Sequence, residues 1–278
     1  MDTGTTADLT RVYDTLSFVT EHYDRLISIK ELEQVSHYSY RNIQRIFKYT
    51  CGETIGAYQK RLKVEHAYKM MLYTRETLSS IALETGFANL ASFSKAFKQH
   101  FGMPPRTAKQ GKHSLLARAA IVPLTAEQHL KPDIVYMPPV TVHYQSAFID
   151  YNYEDIELLW TRFMLNSFPA GETHFYGIVA DEPLVRENLR CRYDACASCR
   201  PENRKLAVKT IPGGRYACFL HQGSYETIEE TYRKIYAGWI LETNLTFATT
   251  PVIEHYAKHP GNTAAVQDLQ TSIWLPLR

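Results

Sequence analysis

Residues 81–105 read IALETGFANLASFSKAFKQHFGMPP, and residues 32–52, LEQVSHYSYRNIQRIFKYTCG, repeat most of that stretch at a constant offset of 50. Leu32 falls on Ala82, Ser36 on Gly86, Ser39 on Asn89, Ile43 on Phe93, Phe47 on Phe97, Lys48 on Lys98 and Gly52 on Gly102. Each copy predicts a short helix, a turn near Ser36 or Gly86, and a second helix with inward apolar residues four apart. Ser39 and Asn89 stand where an N-cap oxygen would accept an unpaired amide of the first turn. Gly86 offers the backbone freedom that a tight interhelical turn needs. The pattern is a helix-turn-helix written twice.

Between the copies, residues 54–73 carry neither Gly nor Pro after Gly56, and Tyr58, Leu62, His66, Met70 and Tyr73 form one apolar stripe, with His66 read as a packed histidine. A helix of that length spans ~30 Å, close to the ~34 Å between major-groove openings on one side of B-DNA. A single chain could therefore set two recognition helices into adjacent groove segments. The caps and anchors leave Tyr40, Arg41, Gln44 and Arg45 outward on the first, and Leu90, Ala91, Ser94 and Lys95 on the second. Arg41 and Arg45 suit guanine edges, Gln44 suits adenine, and Tyr40 suits stacking or a phosphate. Charge agrees: residues 28–112 hold 14 basic and 6 acidic side chains, a balance of +8 within a chain whose net charge is only +2.

These residues resemble the AraC/XylS-type transcription regulators. Ile81-Ala82, Gly86-Phe87, Phe93, Phe97-Lys98, Phe101-Gly102 and Pro104-Pro105 look like their second helix-turn-helix, and SYRNIQRIFK with Gly52 looks like their more variable first. The resemblance implies base reading by Arg41, Gln44 and Arg45, and DNA contacts from Asn89, Ser92 and Lys95. Leu90-Ala91 depart from the pattern, since related regulators often place polar readers there.

The expected organisation is an all-α double helix-turn-helix domain over residues 1–110, a connector over 111–133, and an α+β domain over 134–278. In the last, residues 143–164 run parallel to 215–236 at offset 72, with Tyr144 on Tyr216, Tyr153-Glu154 on Tyr225-Glu226 and Trp160 on Tyr232. Each copy reads as strand, turn and amphipathic helix followed by two extended stretches. This predicts a duplicated β-α-β-β unit, closing into one sheet with both helices on one side and an aromatic cleft on the other. The rings available to that cleft are Trp160, Tyr176, Phe219, Tyr225, Trp239, Tyr256 and Trp274. Alternation in VIEHY places Glu254 on the face of Val252 and Tyr256, where a carboxylate among rings suits a cationic lipophilic molecule. GGRYACFLHQGSYETIEETYRKIYAGWI, PVIEHY and TSIWLPL resemble the gyrase-inhibitor-like (GyrI-like) effector-binding domain. That resemblance implies a ligand groove holding Glu254, with Tyr256, Trp239, Tyr225 and Trp160 as walls.

Cys196 and Cys199 form a lone CxxC, read as coincidence within a strand and its turn, so no metal site is expected. The sequence shows no Walker loop, GxGxxG, HExxH or GxSxG, and no cofactor is expected. The polar, acidic first thirty residues and the lack of a long apolar run predict a cytoplasmic protein without a membrane partner. The reading is a non-enzymatic regulator, an activator, whose partners are double-stranded DNA, a small hydrophobic or cationic effector, and RNA polymerase. The alternative is a small-molecule hydrolase or binding protein in which the same groove does the work and DNA binding is secondary.

Overall fold

The computed structural model describes residues 6–111, 130–150, 153–169, 171–181, 191–203, 206–248 and 250–278. The chain divides into two compact units, Met1–Gln110 and Gly111–Arg278. Most of the expected connector, residues 112–129, lies outside the described residues, and the first strand already begins at Asp133.

The first unit is helical: α1 (Thr6–Glu21), α2 (Ile29–Ser36), α3 (Tyr40–Cys51), α4 (Ile55–Tyr73), α5 (Leu78–Glu84), α6 (Leu90–Phe101) and α7 (Pro105–Gln110). The pairs α2–α3 and α5–α6 are the two helix-turn-helix copies. Helix α4 differs from the single stripe expected of it: from Arg61 to Tyr73 every residue is buried except the half-buried Lys63 and His66. The reason is that α1 and α3 pack on it from one copy while α5, α6 and α7 pack on it from the other. His66 stacks on Tyr23 with ring centroids 4.1 Å apart. Arg61 is buried inside this junction, and it donates to Glu53 Oε1 at 2.8 Å and to Glu65 Oε2 at 2.9 Å. Its guanidinium also lies 4.9 Å from the Tyr58 ring centroid. Glu53 comes from the turn after α3, and Glu65 sits 3.7 Å from His100 Nε2 on α6. A carboxylate from beside the first copy and an imidazole from the second thus meet at the shared helix.

The two turns solve one problem with different chemistry. In the second copy Gly86 takes φ +77°, and a Cβ there would lie 1.6 Å from the Asp24 carbonyl oxygen. In the first copy the left-handed residue is His37, φ +54°, while the buried Ser36 hydroxyl donates to Leu32 O and accepts from Tyr38 N. The caps differ as well. The Asn89 side chain accepts from Ser92 N at 2.8 Å, as expected, but Ser39 makes no side-chain cap bond. Glu33, reaching across from α2, accepts from Tyr40 N at 2.8 Å instead. A longer acidic side chain from the neighbouring helix thus takes the place of a local hydroxyl.

The second unit is an eight-stranded antiparallel sheet: β1 (Asp133–Met137), β2 (Val140–Ile149), β3 (Phe175–Val179), β4 (Cys191–Ala197), β5 (Ala207–Ile211), β6 (Gly214–Gln222), β7 (Val252–Lys258) and β8 (Gln270–Pro276). Helix α8 (Tyr153–Phe163) follows β2, and α9 (Ile228–Lys234) follows β6, continuing through a π turn at Ile235–Trp239. The two β-α-β-β units are present, β2-α8-β3-β4 and β6-α9-β7-β8. Each is preceded by one further strand that the sequence reading left out. The spatial order is β1-β6-β8-β7-β3-β4-β2-β5. Strand β1, which leads the first repeat, therefore pairs with β6 of the second, and β5, which leads the second, pairs with β2 of the first. The repeats exchange their leading strands. Only Pro138-Pro139 joins β1 to β2, and only Pro212-Gly213 joins β5 to β6, although each pair stands near opposite ends of the order. Two residues span roughly 7 Å, so the sheet must curl until its two edges come together, giving a half-barrel.

The concave side is filled by Val142, Tyr144, Tyr176, Ile178, Cys196, Ile211, Tyr216, Ile253 and Trp274. Asp194 is fully buried among polar partners on this side: Lys209 of β5, Arg192, and the Ser146 hydroxyl of β2. Burial would raise its carboxyl, but the charges of Lys209 and Arg192 and the hydrogen bonds from Lys209 and Ser146 outweigh it, so the group is held below its ordinary range. An exchanged strand is thereby tied to its host by charge as well as by backbone.

If the α5–α6 turn depends on close backbone approach, Gly86→Ala should destabilise the first unit by more than the ~1 kcal/mol typical of a lost glycine conformation. Gly52→Ala has a similar φ of +77° but nothing within 4 Å of the added carbon, so it should cost only that smaller amount. Urea unfolding of the two variants of the full chain checks the order.

Candidate functional site

On the outer side of the first unit, Arg41 and Arg45 of α3 are exposed, while Tyr40 and Gln44 are half-buried and bonded to each other, Gln44 Nε2 donating to Tyr40 Oη at 2.6 Å. Gln44 Oε1 also accepts from Ile55 N at 3.4 Å, so this side chain braces the start of α4. Arg45 Nη2 donates to Asn42 Oδ1 at 3.1 Å. On α6, Leu90, Ala91, Ser92 and Lys95 are exposed around the capping Asn89, and Phe93, Ala96 and Phe97 are buried beneath them. Both second helices therefore turn a solvent-facing stripe outward and an apolar stripe onto the core.

In the second unit Glu254 is 3% exposed and lies on the same face as Val252 and Tyr256. Its partners are phenols: Tyr193 donates to Oε2 at 2.6 Å, Tyr256 to Oε2 at 2.7 Å, and Tyr232 to Oε1 at 2.6 Å. Tyr193 and Tyr256 are also 2.7 Å apart, oxygen to oxygen. These donors come from β4, β7 and α9. Opposite Glu254 on β3 stands Gly177, where a Cβ would lie 1.8 Å from the Tyr193 hydroxyl and 2.9 Å from Glu254 Oε2. The missing side chain makes room for the cluster.

The expected position of the cleft is corrected here: Glu254 faces the helices, not the side away from them. Trp160 of α8 meets the Tyr256 ring edge-on at 5.0 Å, and Tyr225, in the turn Tyr225–Thr227 just before α9, meets it edge-on at 5.5 Å. The other side of the sheet is closed by its own curl, and Tyr176 and Trp274 are packed there in the concave core. Phe219 and Trp239 are not part of the Glu254 cluster either; they pack on each other at 5.0 Å, and Trp239 on Phe247 at 5.6 Å. Of the expected ligand residues, the structure joins Glu254, Tyr256, Tyr225 and Trp160. Sequence reading missed Tyr193, Tyr232 and Gly177. A signal for Tyr232 existed, because in the repeat it falls on Trp160.

The surroundings are acidic and the phenols are poor acids. Tyr225 is pushed up to about 12, by burial first and then by the neighbouring Tyr153 and Glu254. Tyr256 is raised well above the ordinary phenol, again by burial first and then by the Glu254 charge. Tyr153 is raised by burial and by the charges of Glu157 and Glu226, one from α8 and one from the turn Tyr225–Thr227 that leads into α9. Glu154 and Glu157 on α8, Glu229 and Glu230 on α9, and Glu226 in the turn before α9 are all exposed. His221, buried, fixes the start of α9 by bonds to Thr231 Oγ1 at 2.8 Å and Ser224 O at 2.9 Å. Cys196 is buried in β4, with its thiol pushed up to about 12 by burial, and Cys199 lies in the turn beyond.

Two families match this layout. Residues 130–278 match the GyrI-like small molecule binding domain, and residues 32–111 match a helix-turn-helix domain. The chain belongs to the GyrI-like family. It joins that domain to an AraC-type helix-turn-helix domain. The Right origin-binding protein of Escherichia coli strain K12 is 22% identical over 285 residues, covering 96% of this chain and 98% of that protein. The uncharacterised HTH-type transcriptional regulator YobQ of Bacillus subtilis is 32% identical over 94 residues, 34% of this chain and 39% of that protein. A crystal structure of an AraC-type regulator from Chromobacterium violaceum overlaps 39% of this chain and 96% of its own, at 20% identity and a TM-score of 0.36. Among the described residues no helix is long and apolar enough to cross a membrane.

Filling the space opposite Glu254 tests the cluster. Gly177→Ala should destabilise the second unit by about 1–3 kcal/mol through overpacking against Tyr193. In combination with Tyr193→Leu, which withdraws the obstructing ring, the loss should be smaller than the sum of the two single losses, as measured by denaturant unfolding.

Proposed function

We propose that this protein is a cytoplasmic, non-enzymatic transcription regulator, and an activator working with RNA polymerase, that reads a specific DNA duplex with α3 and α6 and responds to a small cationic, lipophilic effector bound around Glu254. The observation that carries the reading is the pair of outward-facing second helices packed on one buried shaft. Such a frame cannot readily change its spacing, which suits two contacts on one side of a duplex. Arg41 and Arg45 are the base readers in this account, and Tyr40 and Gln44 support them because they are bonded to each other and Gln44 also accepts from the start of α4. Asn89 is committed to its cap, so α6 contributes phosphate and apolar contacts through Leu90, Ser92 and Lys95.

For the effector, the chemistry favours a cation with apolar surface. Glu254 lies under the rings of Tyr256, Tyr225 and Trp160, and the rim of both helices carries exposed carboxylates. Ring faces and carboxylates attract a cation together, and a weakly hydrated one loses least on leaving water. The indole N–H of Trp160, buried with no acceptor among the described residues, offers a donor to the same molecule. Trp160 and Tyr225 both pack edge-on against Tyr256, so the effector must part them to reach Glu254. An arrangement that binds it more tightly is thereby favoured, which is what a sensor requires.

Selection of duplexes from a random library by the full-length protein should return a defined site. On that site Arg45→Ala should lose about 1–3 kcal/mol and relax preference at one base pair, with a smaller effect on random duplex; equal loss on both would remove Arg45 as a reader. Glu254→Gln should weaken binding of a lipophilic cation such as tetraphenylphosphonium, measured by calorimetry, and leave affinity for the selected duplex unchanged in its absence. The cation should be recovered unmodified after incubation.

A further inference from the structure

A cleft of about 550 Å³ lies between the first half of α4 and the outward side of α6. Its α4 wall is Gly56, Gln59, Lys60 and Lys63, and its α6 wall is Ser92, Lys95, Ala96 and Gln99, with Phe87 between them. Both sets follow helical spacings of three and four, so each helix lends one ridge. No carboxylate lines the cleft, and three lysines do. Lys63 is held in place by its bond to Gly86 O at 2.9 Å and lies 5.9 Å from the Phe87 ring centroid, with Asp24 the acidic group near enough to act on it. Lys60 Nζ lies 3.4 Å from Gln99 Oε1, a bond joining the two ridges across the opening.

We infer that this cleft is a clamp for the sugar-phosphate backbone of the duplex, holding the strand where it passes between the two reader helices, with Lys60, Lys63 and Lys95 as its cations. The inference rests on the DNA-reading account above and adds residues of the shaft itself to the contact. Three arguments support a backbone phosphate as the occupant. The wall on α6 includes Ser92 and Lys95, which also belong to the exposed stripe of the second reader, so the cleft is continuous with the DNA-facing surface. Ammonium groups act as point charges suited to single phosphates, without the fixed fork that arginine brings to a base edge. The cations are spread along two ridges, which suits a linear polyanion running between them. The clamp also contributes to register: phosphate contacts fix where the protein sits, while α3 supplies base discrimination.

The test uses the full-length protein, the duplex recovered by selection and a random duplex. Lys60→Gln should flatten the slope of log affinity against log salt by about 1 on both duplexes and leave the ratio between them unchanged. Gly56→Glu places a carboxylate at the mouth of the cleft where an added Cβ meets nothing within 4 Å, so it should fold normally and weaken both duplexes, whereas Gly56→Ala should not. A scan of single methylphosphonate substitutions should find one or two phosphates, between the two reader footprints, whose neutralisation weakens the wild type and not Lys60→Gln. Unchanged slopes in Lys60→Gln and undiminished binding by Gly56→Glu, while Arg45→Ala still loses preference, would overturn the clamp and leave base reading intact. The reverse pattern, flattened slopes with no site preference in the wild type, would support the clamp and overturn base reading.

Discussion

Neither copy of either duplication in this chain can bury its own apolar surface, and that constraint organises both units. In the first, two short helix-turn-helix motifs press their apolar stripes onto one shared helix, which is why α4 is buried on nearly every side from Arg61 to Tyr73 and carries Arg61, Glu65 and Lys69 in its interior. Taking charge out of water is costly, and the Arg61 guanidinium offsets that cost by meeting carboxylates from both α4 and the turn after α3. The two outward-facing helices, α3 and α6, are then held by a shaft that cannot slide past either motif without exposing core. In the second unit the repeats exchange leading strands, so each sheet half is completed by the other.

That exchange also decides which face carries the buried carboxylate of Glu254. Two-residue links across the ends of the strand order force the sheet to curl, and curling fills the concave side with Tyr144, Tyr176, Tyr216 and Trp274. The helices must then cover the convex side, and the space between them is where Glu254 is found. Its phenol partners arrive from β4, β7 and α9, so the site exists only when both repeats are folded together. A buried carboxylate with three donors is stable as it stands, yet the rings around it and the acidic rim leave the region ready to accept positive charge.

Much of this was legible in the residues. The double helix-turn-helix followed from a repeat at one offset, because turn chemistry and helical periodicity are local and survive duplication as a visible pattern. The face carrying Glu254 followed from strand alternation. Tyr193 and Gly177 were not legible, since their meeting with Glu254 depends on which strands pair and in what register, and nothing in local composition states that β3 lies between β4 and β7. Phe219 was read among the rings available to the cleft, and Trp239 also as a wall, because aromatic content alone cannot separate a ligand face from a packing cluster behind a helix. The strands β1 and β5 escaped for a related reason: each is short, stands at an edge, and pairs with the repeat that does not contain it.

The amino-acid order by itself determined the two helix-turn-helix motifs, the length of the shaft between them, the division into a basic half and a sheet-rich half, and the side of β7 on which Glu254 stands. These depend on interactions within a few residues, where propensity, capping and periodicity act. Only the tertiary structure decided that the shaft is buried from both sides, that the repeats trade strands, and that the carboxylate lies beneath the helices under phenols from distant strands. Those outcomes come from competition among apolar faces for the same burial, which is settled by the whole chain at once and by no segment alone.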